Sequence, residues 1–238
     1  MEIPEFTLVG FLTVYVVQGF VFAFFVIIAY KILKRSKKQE NLILSSFFIS
    51  ASIGLFINFI YVLLVNELIV LILYYMTLFF IFLAPIFFLI FNLIILKSGK
   101  IFTKSKQKII TAIYGLIIFC MIFISNGITI NENTNWQPIW SLVFFIYLVM
   151  VVSIFAVAPG IYFSIKIYIK FSHSVLKKRW AFYLIGVFFI YFLMYAIMTS
   201  NFLDNPLIRS IIGLFGIVFS IIGSLLIYYG VGKMEDLE

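Results

Sequence analysis

The feature that most constrains this chain is a set of seven unbroken apolar runs: Phe6–Tyr30, Leu42–Val65, Leu68–Leu96, Ile109–Ile128, Ile139–Ile165, Trp180–Ser200 and Leu207–Gly230. Apart from Arg209 in the opening turn of the last, they contain no Asp, Glu, Lys or Arg. A helix that crosses a ~30 Å hydrocarbon core needs about 20 largely apolar residues. Transmembrane strands would instead show ~10-residue segments of alternating character. These runs are continuous and too long for that, and every backbone group inside a bilayer must be bonded within its own segment, so helices are expected. Glu2 and Glu5 precede the first run with no Lys or Arg, so it reads as a retained span rather than a secretory signal. Only Asn66–Glu67 separates the second and third runs, which predicts a tight helical hairpin. The third is long enough to tilt or to enter the interface.

Composition excludes the other broad classes. The chain is 65% hydrophobic and 11% charged, with a mean hydropathy of +1.22. Soluble domains are about 45–50% apolar and about 25% charged. A soluble enzyme, a disordered chain and a nucleic-acid-binding domain are therefore excluded. The expected fold class is all-α, a polytopic seven-transmembrane-helix bundle forming one domain in the cell membrane, multi-pass.

The net charge is +8, and its distribution sets the orientation. Of 17 Lys and Arg, all but Arg209 fall on one side: Lys31, Lys34, Arg35, Lys37 and Lys38; Lys97, Lys100, Lys104, Lys106 and Lys108; Lys166, Lys170, Lys177, Lys178 and Arg179; and Lys233. The positive-inside rule places the N-terminus outside and the C-terminus inside. The basic loops read either as topology determinants alone or as contacts for acidic lipid or a cytoplasmic or membrane signalling partner.

Small residues that let helix backbones approach mark candidate contacts. They are Ser46, Ser50, Gly54 and Asn58 in span two, Ala156, Gly160 and Ser164 in span five, and Gly216, Ser220 and Ser224 in span seven. Spans two, five and seven are thus expected inside the bundle, with one and four facing lipid. Pro85 and Pro159 predict a kink each, because proline removes one i→i−4 bond. Each kink is either a hinge or a static feature. Trp136, Trp140 and Trp180 are placed as interface anchors.

Little in the chain points to chemistry. The apolar runs offer Gln18, Asn58, Thr77, Asn92, Thr111, Ser and Tyr but no carboxylate, against the needs of a proton relay or cation site. Span seven lacks the buried lysine a retinal Schiff base requires. His173 sits in a basic loop, Cys120 is the single cysteine, and no HExxH, GxSxG, P-loop or CxxC occurs. No enzyme activity, cofactor, metal or nucleic acid is expected.

Two stretches carry a family likeness: YYMTLFFIFLAPIFFLIFNLIILKSGK in span three, and SVLKKRWAFYLIGVFFIYFLMYAI…DNPLIRSIIGLFGIVFSIIGSLLIYYGVGK at the end. Their layout resembles the seven-helix membrane sensor region of prokaryotic histidine kinases. There, a basic run enters span six, a short outer loop with Asp and Pro follows, and span seven is rich in small residues. The chain carries no dimerisation helix, phosphoacceptor segment or ATP-binding domain. The resemblance therefore implies a stand-alone sensor or the partner of a separate output protein. With the topology and the small-residue stripes, it suggests a small or lipidic ligand entering from outside between spans three, five, six and seven. The candidate ligand-binding residues are Asn58, Tyr74, Tyr75, Thr77, Trp140 and Tyr195, with Pro85 and Pro159 as hinges. The alternative functions are a structural or accessory subunit of a membrane complex and, third, a transporter of a neutral solute.

Overall fold

The computed structural model describes residues 12–231. It contains seven helical spans long and apolar enough to cross a membrane. The first is a wide π-helical stretch, Leu12–Gln18, continuing into α1 (Gly19–Arg35). The second is α2 (Gln39–Tyr61), and the third is α3 (Glu67–Leu83) followed by α4 (Pro85–Ile101). The fourth is α5 (Lys104–Phe119) with a closing 3₁₀ turn, Cys120–Phe123. The fifth is α6 (Leu142–Val152), a π-helical turn (Ser153–Val157) and α7 (Ala158–Lys170). The sixth and seventh are α8 (Ser174–Leu203) and α9 (Pro206–Val231).

Local chemistry explains the helix ends. The side chain of Asn66 accepts from the Ile69 amide at 3.1 Å and starts α3, completing the expected hairpin. Asp204 takes a left-handed conformation (φ 46°), Asn205 accepts from the Leu207 and Ile208 amides, and Pro206 opens α9. Proline suits a first helical position, where its missing N–H would be unpaired anyway. On the basic side the helices outrun the apolar stretches, α1 to Arg35 and α7 to Lys170, while α5 starts at Lys104 and α8 at Ser174. Lys and Arg are good helix formers, and their long stems lie along apolar surface while the charge stays in water.

The fold is all-α as expected, with one short two-stranded hairpin at the opposite end. Ile128–Thr129 (β1) pairs antiparallel with Ile139–Trp140 (β2), Ile128 opposite Trp140. The fourth span accordingly stops short of Ile128, and the fifth begins after Trp140. Between the strands, Asn131 and Thr134 cap each other reciprocally, and Asn135 and Trp136 both adopt positive φ. Gly127 is required beneath this hairpin, since a Cβ there would lie 2.8 Å from the Phe144 ring.

The third span is the centre of the bundle: 67% of its most apolar stretch is buried, against 56% for the second, 33% for the fifth and 22% for the seventh. This corrects the expectation for spans five and seven. Small residues report where two backbones touch, not how many neighbours a helix has. In span seven the glycines face span six: a Cβ on Gly186 would sit 2.5 Å from the Gly223 carbonyl, and one on Gly230 would sit 2.5 Å from the Tyr183 amide. Spans six and seven therefore form a close pair at the rim. Spans one and four are mostly exposed, at 28% buried each. In span two the stripe works as expected, with Gly54 against the Thr77 carbonyl and Ser50 donating to Phe80 O at 2.7 Å.

Both prolines interrupt regular helix. α3 ends before Ala84 and α4 starts at Pro85. The carbonyl at Phe82, close to this break, accepts from Tyr114 Oη at 2.9 Å. Before Pro159 the helix widens, with the Ala158 N–H donating five residues back to Ser153 O.

Candidate functional site

Under the hairpin lies a buried aromatic and polar cluster. Trp140, the last residue of β2, donates its indole N–H to Tyr74 Oη at 2.9 Å. Asn201, near the end of α8, donates to the same oxygen at 3.4 Å. The Tyr61 ring meets Tyr74 edge-on at 5.6 Å, and Trp140 meets Phe144 and Phe82 in the same way. Trp140 is 2% exposed, so it is a core residue rather than the expected interface anchor. A buried indole N–H needs a partner, and the tyrosine supplies it.

Arg209 closes the cluster from the side of α9. Its guanidinium donates to Pro138 O at 2.7 Å and to Gln137 Oε1, and pairs with Asp204 at 3.1 Å. The arginine thus ties the first turn of α9 and the α8–α9 turn to the hairpin. Only 16% of its side chain is exposed. The sequence signal for this role was present, because Arg209 is the one cation away from the basic loops.

The six residues singled out from the sequence do not form one pocket. Tyr74 and Trp140 are bonded to each other, and Tyr75, half-buried on α3, reaches the same Phe144 ring. Asn58 instead donates to Gln18 Oε1, joining spans one and two. Thr77 is buried, and its hydroxyl finds no hydrogen-bond partner among the described residues. Tyr195 Oη bonds Ser153 Oγ at 2.6 Å, at the start of the wide turn in span five.

Tyr195 also lines a shallow crevice of about 540 Å³ between the halves of α8 and α9 that flank their connecting turn, with Phe192, Ala196, Thr199, Ile212 and Phe215. Its walls are almost wholly apolar. Spans six and seven pack backbone to backbone at Gly186 and Gly230, toward the other end of the pair from the crevice.

A second polar knot lies toward the basic end. Asn92 donates to Gly160 O at 2.8 Å and accepts from Tyr183 Oη at 2.9 Å, joining spans three, five and six. Trp180 donates to Ser164 O at 2.8 Å and stacks on Phe91. It is fully buried, which corrects its placement as an interface anchor.

Among the described residues, no group of three or more His, Cys, Asp or Glu side chains could hold a metal ion. Asn58, Asn92, Tyr114 and Tyr183 join helices by hydrogen bonds across spans. No protein-family model, curated protein or solved structure matches the chain.

Proposed function

We propose that this is an integral membrane protein that crosses the bilayer seven times, N-terminus outside and C-terminus inside, and acts as a non-enzymatic, receptor-like sensor. The membrane part of the reading is supported by seven long apolar helices and by large apolar side chains exposed along them, such as Ile146, Met150 and Ile154 of span five. The orientation rests on the distribution of Lys and Arg.

One observation carries the sensor reading: the outer hairpin is fastened to three spans by a few directional contacts. Trp140 holds it to Tyr74 of span three, Asn201 of span six joins the same hydroxyl, and Arg209 of span seven clips it at Pro138. Span three then breaks at Pro85, where hydrogen bonding along the helix is interrupted. A small or lipidic ligand reaching this end between spans three, five, six and seven would compete for these contacts. The displaced helices would pass the change to the basic inner loops, and from there to a separate output protein. The likeness to kinase sensor regions is consistent with this division of labour.

Labels on both ends test it. In a Cys120→Ser background, Asn133→Cys and His173→Cys carry fluorophores in reconstituted vesicles, and amphiphiles are screened. The sensor reading expects a compound that changes both signals in the parent but uncouples them in Arg209→Gln. If every compound that moves the outer label leaves the inner one unchanged, the reading fails.

One feature favours the second reading, a structural or accessory subunit. The polar atoms of Asn58, Tyr74 and Tyr195 are already bonded within the bundle. A stoichiometric membrane partner retained through mild-detergent purification, with no ligand response, would select that reading.

A further inference from the structure

We propose that the exposed tyrosine–lysine pairs on spans one and five are binding sites for the headgroup of anionic phospholipid in the inner leaflet; this rests on the transmembrane reading above. Lys34 Nζ lies 5.9 Å from the centre of the Tyr30 ring, and Lys166 Nζ lies 5.8 Å from that of Tyr162. Both pairs have the same construction, an aromatic residue and a lysine one helical turn later, near the basic end of a span. Both face away from the bundle, with Tyr30 62% and Tyr162 59% exposed.

The direction of the lysines selects the ligand. Side chains on a helix lean toward its N-terminus. Spans one and five run toward the basic end, so the two lysines lean back toward the apolar part of the helix. Each ammonium is thereby held near the tyrosine ring on the lateral face, instead of extending past the helix end into water. An acidic soluble protein docking on the end of the bundle cannot reach that depth. A phospholipid phosphate lies there, and the tyrosine belongs at the same level. Two further pairs, Arg35 over Tyr228 and Lys177 over Tyr168, cross between helices and brace the same end. The described segments at this end carry Lys and Arg from every loop, with Glu40 as the acidic exception, so a net-anionic headgroup is favoured over a zwitterionic one.

The test uses full-length protein reconstituted in vesicles of equimolar phosphatidylcholine and phosphatidylglycerol, extracted in mild detergent. Retained lipids are counted by native mass spectrometry. Phosphatidylglycerol should be enriched over phosphatidylcholine. Lys34→Gln and Lys166→Gln should each weaken its retention about fivefold, the effect of one interfacial charge. Lys178→Gln, an exposed lysine at the same end without a tyrosine pair, should have a smaller effect. Equal retention of the two lipids, or an equal loss in Lys178→Gln, would overturn the proposal. So would polyglutamate binding that the two variants weaken while the lipid ratio stays unchanged. A chain that partitions into the aqueous phase without detergent would instead remove the transmembrane reading itself.

Discussion

The indole N–H of Trp140 and the hydroxyl of Tyr74 meet at 2.9 Å across 66 residues of sequence, in a site closed to solvent. This one bond holds the hairpin between the fourth and fifth spans onto the central helix. Leaving one member of a buried pair unsatisfied costs more than the pair itself contributes. Tyr74→Phe should therefore lower stability by about 1–3 kcal/mol, read as a drop in detergent-phase melting temperature. A variant that melts with the parent would mean that water reaches the indole.

Arg209 has three partners at the hairpin and the α8–α9 turn, and they are unequal. Asp204 is half-exposed, and surface pairs contribute about 0–1 kcal/mol. The Pro138 carbonyl is the better-shielded acceptor. Asp204→Asn should leave hydrogen exchange of the Ile128–Trp140 segment nearly unchanged, whereas Arg209→Gln should raise it. The opposite order would show that the ion pair, not the carbonyl contact, holds the hairpin.

The close pairing of spans six and seven predicts a sharp contrast among glycines. Gly186→Ala and Gly230→Ala place a methyl about 2.5 Å from backbone atoms, which cannot yield without separating the helices. A loss of about 1–3 kcal/mol is expected for each. Gly19→Ala meets nothing within 4 Å and should be neutral or slightly stabilising. Melting curves of the three variants in one detergent make the comparison.

Asn92 satisfies groups on two neighbouring spans with one amide. Asn92→Leu would strip a partner from the Gly160 carbonyl and from the Tyr183 hydroxyl, both buried. Bonds of this kind between membrane helices average about 0.6 kcal/mol and reach about 1.7. A loss of about 1–3 kcal/mol is expected from the two together. Tyr183→Phe, which also frees one amide oxygen of Asn92, should cost less. Equal losses would mean that the Gly160 contact contributes nothing.

The sequence alone was enough to determine the number of helical spans, their order, the short hairpin at Asn66–Glu67 and the two proline interruptions. These are local properties: a run of apolar residues, a capping side chain or a missing N–H acts on its own stretch of chain. Tertiary structure decided which span is central, that Trp140 and Trp180 are buried, and that Arg209 clips the hairpin. Asn58 and Tyr195 were legible as polar positions within apolar runs, but their partners Gln18 and Ser153 lie 40 and 42 residues away. Apolar character is similar around most of each helix, so hydropathy carries no signal for which face meets a neighbour. That choice is made by backbone approach at small residues and by hydrogen bonds between distant segments, and both exist only once the helices are packed.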